Sequence, residues 1–98
     1  MKTCYVDTDH RAIADLVSPG ELTRHWTITR INVPEQFRGN GYGSALLDQI
    51  IADADAEREV LQLEISPSGG LSFRQLEDWY KRRGFFVTDH GYMKRVPR

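Results

Sequence analysis

The chain has 98 residues, 40% of them apolar and 28% charged, and a formal net charge of −1. These values describe one small globular domain over residues 1–98; they exclude a global basic field for nucleic acid and any apolar run long enough to span a membrane. A single cysteine, Cys4, excludes an internal disulfide. With no apolar leader in Met-Lys-Thr-Cys-Tyr-Val-Asp, it points to a reducing, cytoplasmic setting.

Thr3 to Thr8 predicts a short strand, and Asp9-His10-Arg11 a turn. Ala12 to Ser18 predicts a second strand, with Ala12, Ala14 and Leu16 opposite Ile13 and Val17. Pro19-Gly20 marks a turn. His25 to Val33 is rich in Thr, Ile and Trp and alternates. Trp26, Ile28 and Arg30 fall on one face, and His25, Thr27, Thr29, Ile31 and Val33 on the other. Next comes Arg38-Gly39-Asn40-Gly41-Tyr42-Gly43-Ser44, three alternating glycines between a strand and an apolar helix. Glycines let backbone approach a ligand with no Cβ in the way. A helix start leaves N–H groups without intrahelical partners, at the positive end of its dipole. Together these features favour a bound phosphate.

Two familiar nucleotide loops fail here. The dinucleotide fingerprint Gly-x-Gly-x-x-Gly/Ala ends on Ser44 or Leu46, and the nucleoside-triphosphate loop lacks its Gly-Lys-Ser/Thr. Arg-x-x-Gly-x-Gly fits, at Arg38, Gly41 and Gly43.

From Ser44 the period becomes helical, with Leu46, Leu47, Ile50, Ile51 and Ala54 on one stripe and Asp48, Asp53 and Asp55 outside it. Val60 to Ile65 alternates again, Leu61, Leu63 and Ile65 opposite Gln62 and Glu64. Strand, loop, helix and strand form a βαβ unit, so the two strands should be parallel. Pro67 to Gly70 breaks the chain. Ser72 and Gln75 have the spacing of a capping box, opening a helix that carries Phe73, Leu76, Trp79 and Tyr80 on one face. Lys81, Arg82 and Arg83 occupy its last turn and Gly84 ends it. Phe85 to Thr88 and Tyr92 to Val96 predict a terminal hairpin.

The Arg38 to Ser44 loop resembles the pyrophosphate loop of the GNAT superfamily of acetyl-coenzyme A-dependent N-acetyltransferases. Trp79-Tyr80-Lys81-Arg82-Arg83-Gly84-Phe85-Phe86 is similar to the Tyr-x-x-x-Gly-Phe signature that closes the GNAT core. The two motifs stand in the family's order over residues 25–96. The resemblance implies an α/β fold with a mixed sheet and splayed central parallel strands. Only 24 residues precede the Trp26 strand, so the usual first strand and first two helices are expected to be missing. The chain thus resembles a compact subgroup that includes small phage-encoded acetyltransferases, some of them anti-CRISPR proteins that modify a host nuclease.

The resemblance also implies roles. Acetyl-coenzyme A is the expected cosubstrate, with no metal. Arg38, Gly39, Asn40, Gly41, Tyr42, Gly43 and Ser44 would cradle its pyrophosphate. Backbone groups of Ile31, Asn32 and Val33 would pair with its pantetheine arm and polarise the acetyl carbonyl. Tyr80 matches the phenol that protonates the departing sulfur. A glutamate that some relatives carry as base corresponds to Thr27, which cannot serve. Glu64 is the best carboxylate nearby, and His25, on the Thr27 face, has a suitable unperturbed pKa. A water chain, or an amine deprotonated before binding, would need neither.

Three alternatives stand beside the enzyme. One is a coenzyme A-binding or partner-binding module without catalysis. Another is a nucleic-acid binder, based on Arg82, Arg83, Lys94, Arg95 and Arg98 beside Trp79 and Tyr92; the acidic helix and net charge argue against it. For the enzyme, the open acceptor side implies a protein lysine, with Lys94, Arg95 and Arg98 either facing an acidic partner or forming a solvated tail. The third is a small amine held by a homodimer that rebuilds the missing wall.

Overall fold

The computed structural model describes residues 1–20, 24–67 and 70–98. In chain order the elements are β1 (Cys4–Val6), β2 (Ile13–Val17), β3 (Trp26–Asn32), a 3-10 turn (Glu35–Phe37), α1 (Tyr42–Glu57), β4 (Leu61–Glu64), α2 (Phe73–Lys81), β5 (Phe86–Asp89) and β6 (Tyr92–Arg95). The strands form one sheet in the order β1-β2-β3-β4-β6-β5. The expected turn at Pro19-Gly20 runs into residues outside the described set, as do Ser68 and Gly69 of the expected break before α2.

Alternation along the strands sends one set of side chains inward. Leu16, Ile28, Leu63 and Met93 lie opposite one another across β2, β3, β4 and β6. They share a single core with Leu46, Leu47 and Ile50 of α1 and Leu76 and Tyr80 of α2. Both helices therefore cover the same face of the sheet. The other face presents Val17, Thr27, Gln62, Lys94 and Phe86 in one cross-strand row. Among the described residues no helix covers it, and none precedes β3.

Two features of β3 shape the site. Its pairing with β2 passes from Asp15–Arg30 to Leu16–Ile28, so Thr29 is an extra residue, a β-bulge. The bulge corrects the strict alternation read from sequence. Ile28 and Ile31 both lean towards the core, while Arg30 turns to the other face and pairs with Asp15 at 2.6 Å. The Thr29 hydroxyl donates to the Asp15 carbonyl at 3.0 Å and braces the bulge. The second feature is the parallel pairing with β4, which covers only Trp26–Ile28 against Leu61–Leu63. Beyond Ile28 the two strands part, leaving the β4-side edge of β3 without a partner strand.

The basic edge expected from Lys94, Arg95 and Arg98 is also corrected. Arg95 is only 5% exposed and forks onto Asp55 of α1, Nη1 at 2.6 Å and Nη2 at 3.1 Å. Its Nε–H donates to the Arg83 carbonyl at 2.8 Å. That guanidinium pins β6 to the end of α1 and to the turn after α2, so it is committed within the fold rather than part of an exposed basic edge. Asp55 is held below the usual carboxylate range by this pairing. Asp53, expected outside the helical stripe, accepts a hydrogen bond from the buried Tyr5 hydroxyl at 2.7 Å.

Candidate active site

The gap between β3 and β4 opens into a cleft of about 570 Å³ on the helix-covered side. Its far wall is the start of α1. That helix begins at Tyr42, two residues earlier than the sequence pattern indicated, so Gly43 and Ser44 lie in its first turn. Gly41 is its N-cap and makes no side-chain cap. The first N–H to find a helical acceptor is that of Ala45, bonded to the Gly41 carbonyl at 2.9 Å. The N–H groups of Tyr42, Gly43 and Ser44 therefore have no acceptor among the described residues and stand at the positive end of a sixteen-residue helix. By contrast, α2 carries the predicted capping box, with the Gln75 N–H donating to Ser72 Oγ at 3.2 Å and the Ser72 N–H to Gln75 Oε1 at 2.8 Å.

The glycines have distinct tasks. Gly39 and Gly41 sit at φ of +83° and +81°, in the left-handed region, and a Cβ at either would project into open space. A Cβ on Gly43 would lie 3.2 Å from Val33 Cγ2, so this glycine lets α1 pack closely on the end of β3. Arg38 is exposed; its Nε–H donates to the Val33 carbonyl at 2.9 Å, which folds the loop back over the strand. Asn40 donates to the Phe37 carbonyl at 3.1 Å and, unlike its neighbours, is not among the residues lining the cleft. The Tyr42 hydroxyl accepts from Arg11 Nη1 at 2.6 Å, so what Tyr42 offers a ligand is its backbone N–H.

The near wall is α2. Tyr80 lines the cleft and is 8% exposed, its ring set against Trp79 at 4.9 Å and Phe85 at 5.4 Å. Its hydroxyl makes no hydrogen bond to a described residue, and burial pushes the phenol up to about 12. A neutral O–H is thus held at the cleft wall with its proton uncommitted.

Glu64 ends β4, exposed, at the point where the strands part. It lines the cleft and also a second groove of about 460 Å³ on the other sheet face, bounded by Thr27, Gln62, Asp89, Tyr92 and Lys94. Thr27 belongs to that groove, its hydroxyl accepting from Gln62 at 2.9 Å. His25 lines neither cavity. The structure thus gathers Tyr80, Glu64, Ile31, Asn32, Val33, Arg38, Gly39, Gly41, Tyr42, Gly43 and Ser44 around one cleft. Sequence reasoning had not placed Phe37, Ser66 or Leu71 there, since loop residues carry no periodic signal. Trp79 was placed only on the α2 face with Phe73, Leu76 and Tyr80, and its indole N–H bond to Ser44 left no mark in the sequence.

An acyl-coenzyme A fits these features. Free N–H groups and glycines without Cβ suit a pyrophosphate, an unpaired strand edge suits the amides of a pantetheine arm, and a buried phenol suits a sulfur. A mixed sheet parted at its central parallel pair, with an uncapped helix at the gap, defines the class.

The acetyltransferase (GNAT) domain family matches residues 2–87, and the chain belongs to that family. Members of the family use acetyl-coenzyme A. Among solved structures, the anti-CRISPR protein AcrVA5 is similar at 19% identity and a TM-score of 0.63, over 85% of each chain. A structure described as histone acetyltransferase HPA2 and related acetyltransferase, from Corynebacterium glutamicum, is similar at 21% identity and a TM-score of 0.67, over 95% of this chain and 62% of that one. The ribosomal-protein-S18-alanine N-acetyltransferase from Escherichia coli is similar at 19% identity and a TM-score of 0.69, over 96% of this chain and 66% of that one. At these identities the likeness shows the fold, and the chain spans only part of the two longer relatives. No curated protein sequence matches it.

Proposed function

We propose that this protein is an N-acetyltransferase that moves the acetyl group of acetyl-coenzyme A onto a lysine amine of a protein partner by direct attack. One observation carries the reading. A single cleft joins the free N–H groups of α1, the unpaired edge of β3 and the uncommitted Tyr80 hydroxyl. Acetyl-coenzyme A supplies an activated thioester there. The α1 N–H groups and Arg38 hold its phosphates, and the β3 edge at Ile31 to Val33 orients the arm and polarises the carbonyl. Tyr80 Oη gives a proton to the departing sulfur, and a Glu64 carboxylate oxygen takes one from the amine.

The acceptor side follows from Glu64. Because Glu64 borders both cavities, an amine in the outer groove reaches the thioester through the gap between β3 and β4. That groove lies open on a face without helices among the described residues, so it encloses a small amine poorly. A folded partner gains binding energy away from the reacting centre and spends it on positioning. Two of the similar structures bear the names of enzymes acting on proteins, a histone and ribosomal protein S18. Acetyl-coenzyme A turnover with polyamines, aminoglycosides and amino acids, beside protein acetylation read by mass spectrometry, tests this. Acetylated lysines on folded proteins are expected. A small amine used at kcat/KM above about 10⁴ M⁻¹s⁻¹ with no protein acetylation would overturn the choice of acceptor. Coenzyme A binding with no turnover of any amine would overturn catalysis.

A further inference from the structure

Ser44 and Trp79 meet across the cleft. The Trp79 indole Nε1–H donates to Ser44 Oγ at 3.0 Å. Ser44 lies in the first turn of α1, where its own N–H is free, and Trp79 immediately precedes Tyr80 on α2. The indole is itself fixed. The Arg83 guanidinium lies 5.2 Å from its ring centre, and Arg83 Nε pairs with Asp48, one turn further along α1, at 2.9 Å. Arg83 Nη1 also reaches the Trp79 carbonyl at 3.4 Å. Trp79, Arg83, Asp48 and Ser44 thus form a closed staple between the two helices that wall the cleft.

The bond has a directional consequence. A serine hydroxyl has one proton to donate and two lone pairs to accept with. Trp79 can only donate, so it occupies a lone pair of Ser44 and leaves the Ser44 proton unspent. We propose that Trp79 is a positioning residue. It holds the Ser44 hydroxyl so that its proton faces the anion seated on the free N–H groups of α1, and it thereby ties the grip on the cofactor's pyrophosphate to the helix that carries Tyr80. The glycine-loop pattern already sets Ser44 at the pyrophosphate; what it does not contain is Trp79 or the hold of the indole on the Ser44 hydroxyl. The inference rests on the acetyl-coenzyme A reading above.

The test compares two acetyl donors, acetyl-coenzyme A and S-acetylpantetheine, which shares the thioester and arm but has no pyrophosphate. The readout is the ratio of their kcat/KM values with one lysine acceptor, so any loss of folded protein cancels. Trp79→Phe keeps an aromatic ring and removes the donor; Ser44→Ala removes the hydroxyl. A charge-assisted hydrogen bond lost to a phosphate corresponds to about tenfold or more. Each variant is expected to lower the ratio by about that factor, and the double variant by no more than the larger single effect. Calorimetric affinity for coenzyme A should fall in parallel. An unchanged ratio in Trp79→Phe, or multiplying effects in the double variant, would overturn the inference while leaving acetyl transfer intact. A parent that uses neither donor and binds no coenzyme A would overturn both.

Discussion

Tyr80 brings together burial, an uncommitted hydroxyl and a place on the cleft wall. Burial holds its folded-state pKa at about 12, against 10.0 unperturbed, so the phenol keeps its proton at neutral pH. Tyr80→Phe keeps the ring and removes that proton. General acid catalysis contributes roughly 10²–10⁴-fold, so steady-state kinetics should show a fall in kcat of that order with KM little changed. The same shift has a sign for stability. A raised folded pKa contributes stability that is complete below 10.0 and lost as pH rises through about 12. Denaturant melts at alkaline pH should therefore show a shallower decline in Tyr80→Phe than in the parent. At Gly41 the argument is steric. With φ at +81° and open space ahead of its Cβ position, Gly41→Val adds bulk where phosphate would lie. The left-handed backbone alone costs a side chain about 1–2 kcal/mol. Gly91→Val carries a similar strain at φ +79°, in the β5–β6 turn, and serves as the control. Calorimetry should show coenzyme A affinity lost in the first variant and kept in the second; equal affinities would remove the loop from the binding site.

At the scale of elements, most of the layout was legible. Period-two stretches became strands, the helical stripe from Leu46 to Ala54 became the core face of α1, and Ser72 and Gln75 closed their capping box. The start of α1 read late because glycine in a first turn looks like loop. The bulge at Thr29 was hidden because Thr, Arg and Ile suit a strand in either register; only the pairing with Asp15 decides it. Arg95 was read as a surface cation because its partner, Asp55, stands 40 residues away on the polar side of a helix. That pair supports a stability test. Removing one member of a buried pair costs about 3–5 kcal/mol, and somewhat less where one side meets water. Asp55→Ala strands a guanidinium that is only 5% exposed, whereas Arg95→Met strands a partly solvated carboxylate. Chemical denaturation should show Asp55→Ala as the more destabilised. Since Arg95 lowers the Asp55 pKa, the parent draws stability from the pair above the unfolded value near 3.8 and loses it as pH falls through the lower folded value. Asp55→Ala should lack that acid limb.

Across the whole molecule, the cleft was readable in outline because its glycines, strand and terminal tyrosine lie in recognisable order. The groove on the opposite sheet face was not, since a surface made from four strands, β3 to β6, has no local signature. The parting of β3 from β4 has one more consequence. Among the described residues, the ladder of β1, β2 and β3 is joined to that of β4, β6 and β5 by the pairing of Trp26–Ile28 with Leu61–Leu63 and by the Trp26 N–H bonded to the Val60 carbonyl. The sheet is therefore two half-sheets sharing a short seam, and the amides along the open margin have weak protection against solvent. On the proposed reading, a pantetheine arm lying in the gap would act as the missing stretch of ladder, and ligand would complete the cooperative unit. Hydrogen–deuterium exchange should slow on coenzyme A addition at Ile31 to Val33 and at the α1 N-terminus. The melting temperature should rise with ligand concentration, since binding to the folded state alone stabilises by about 2.7 kcal/mol at a hundredfold excess over Kd. Uniform slowing across both half-sheets, with no focus at the seam, would count against this picture of two subdomains closed by their own substrate.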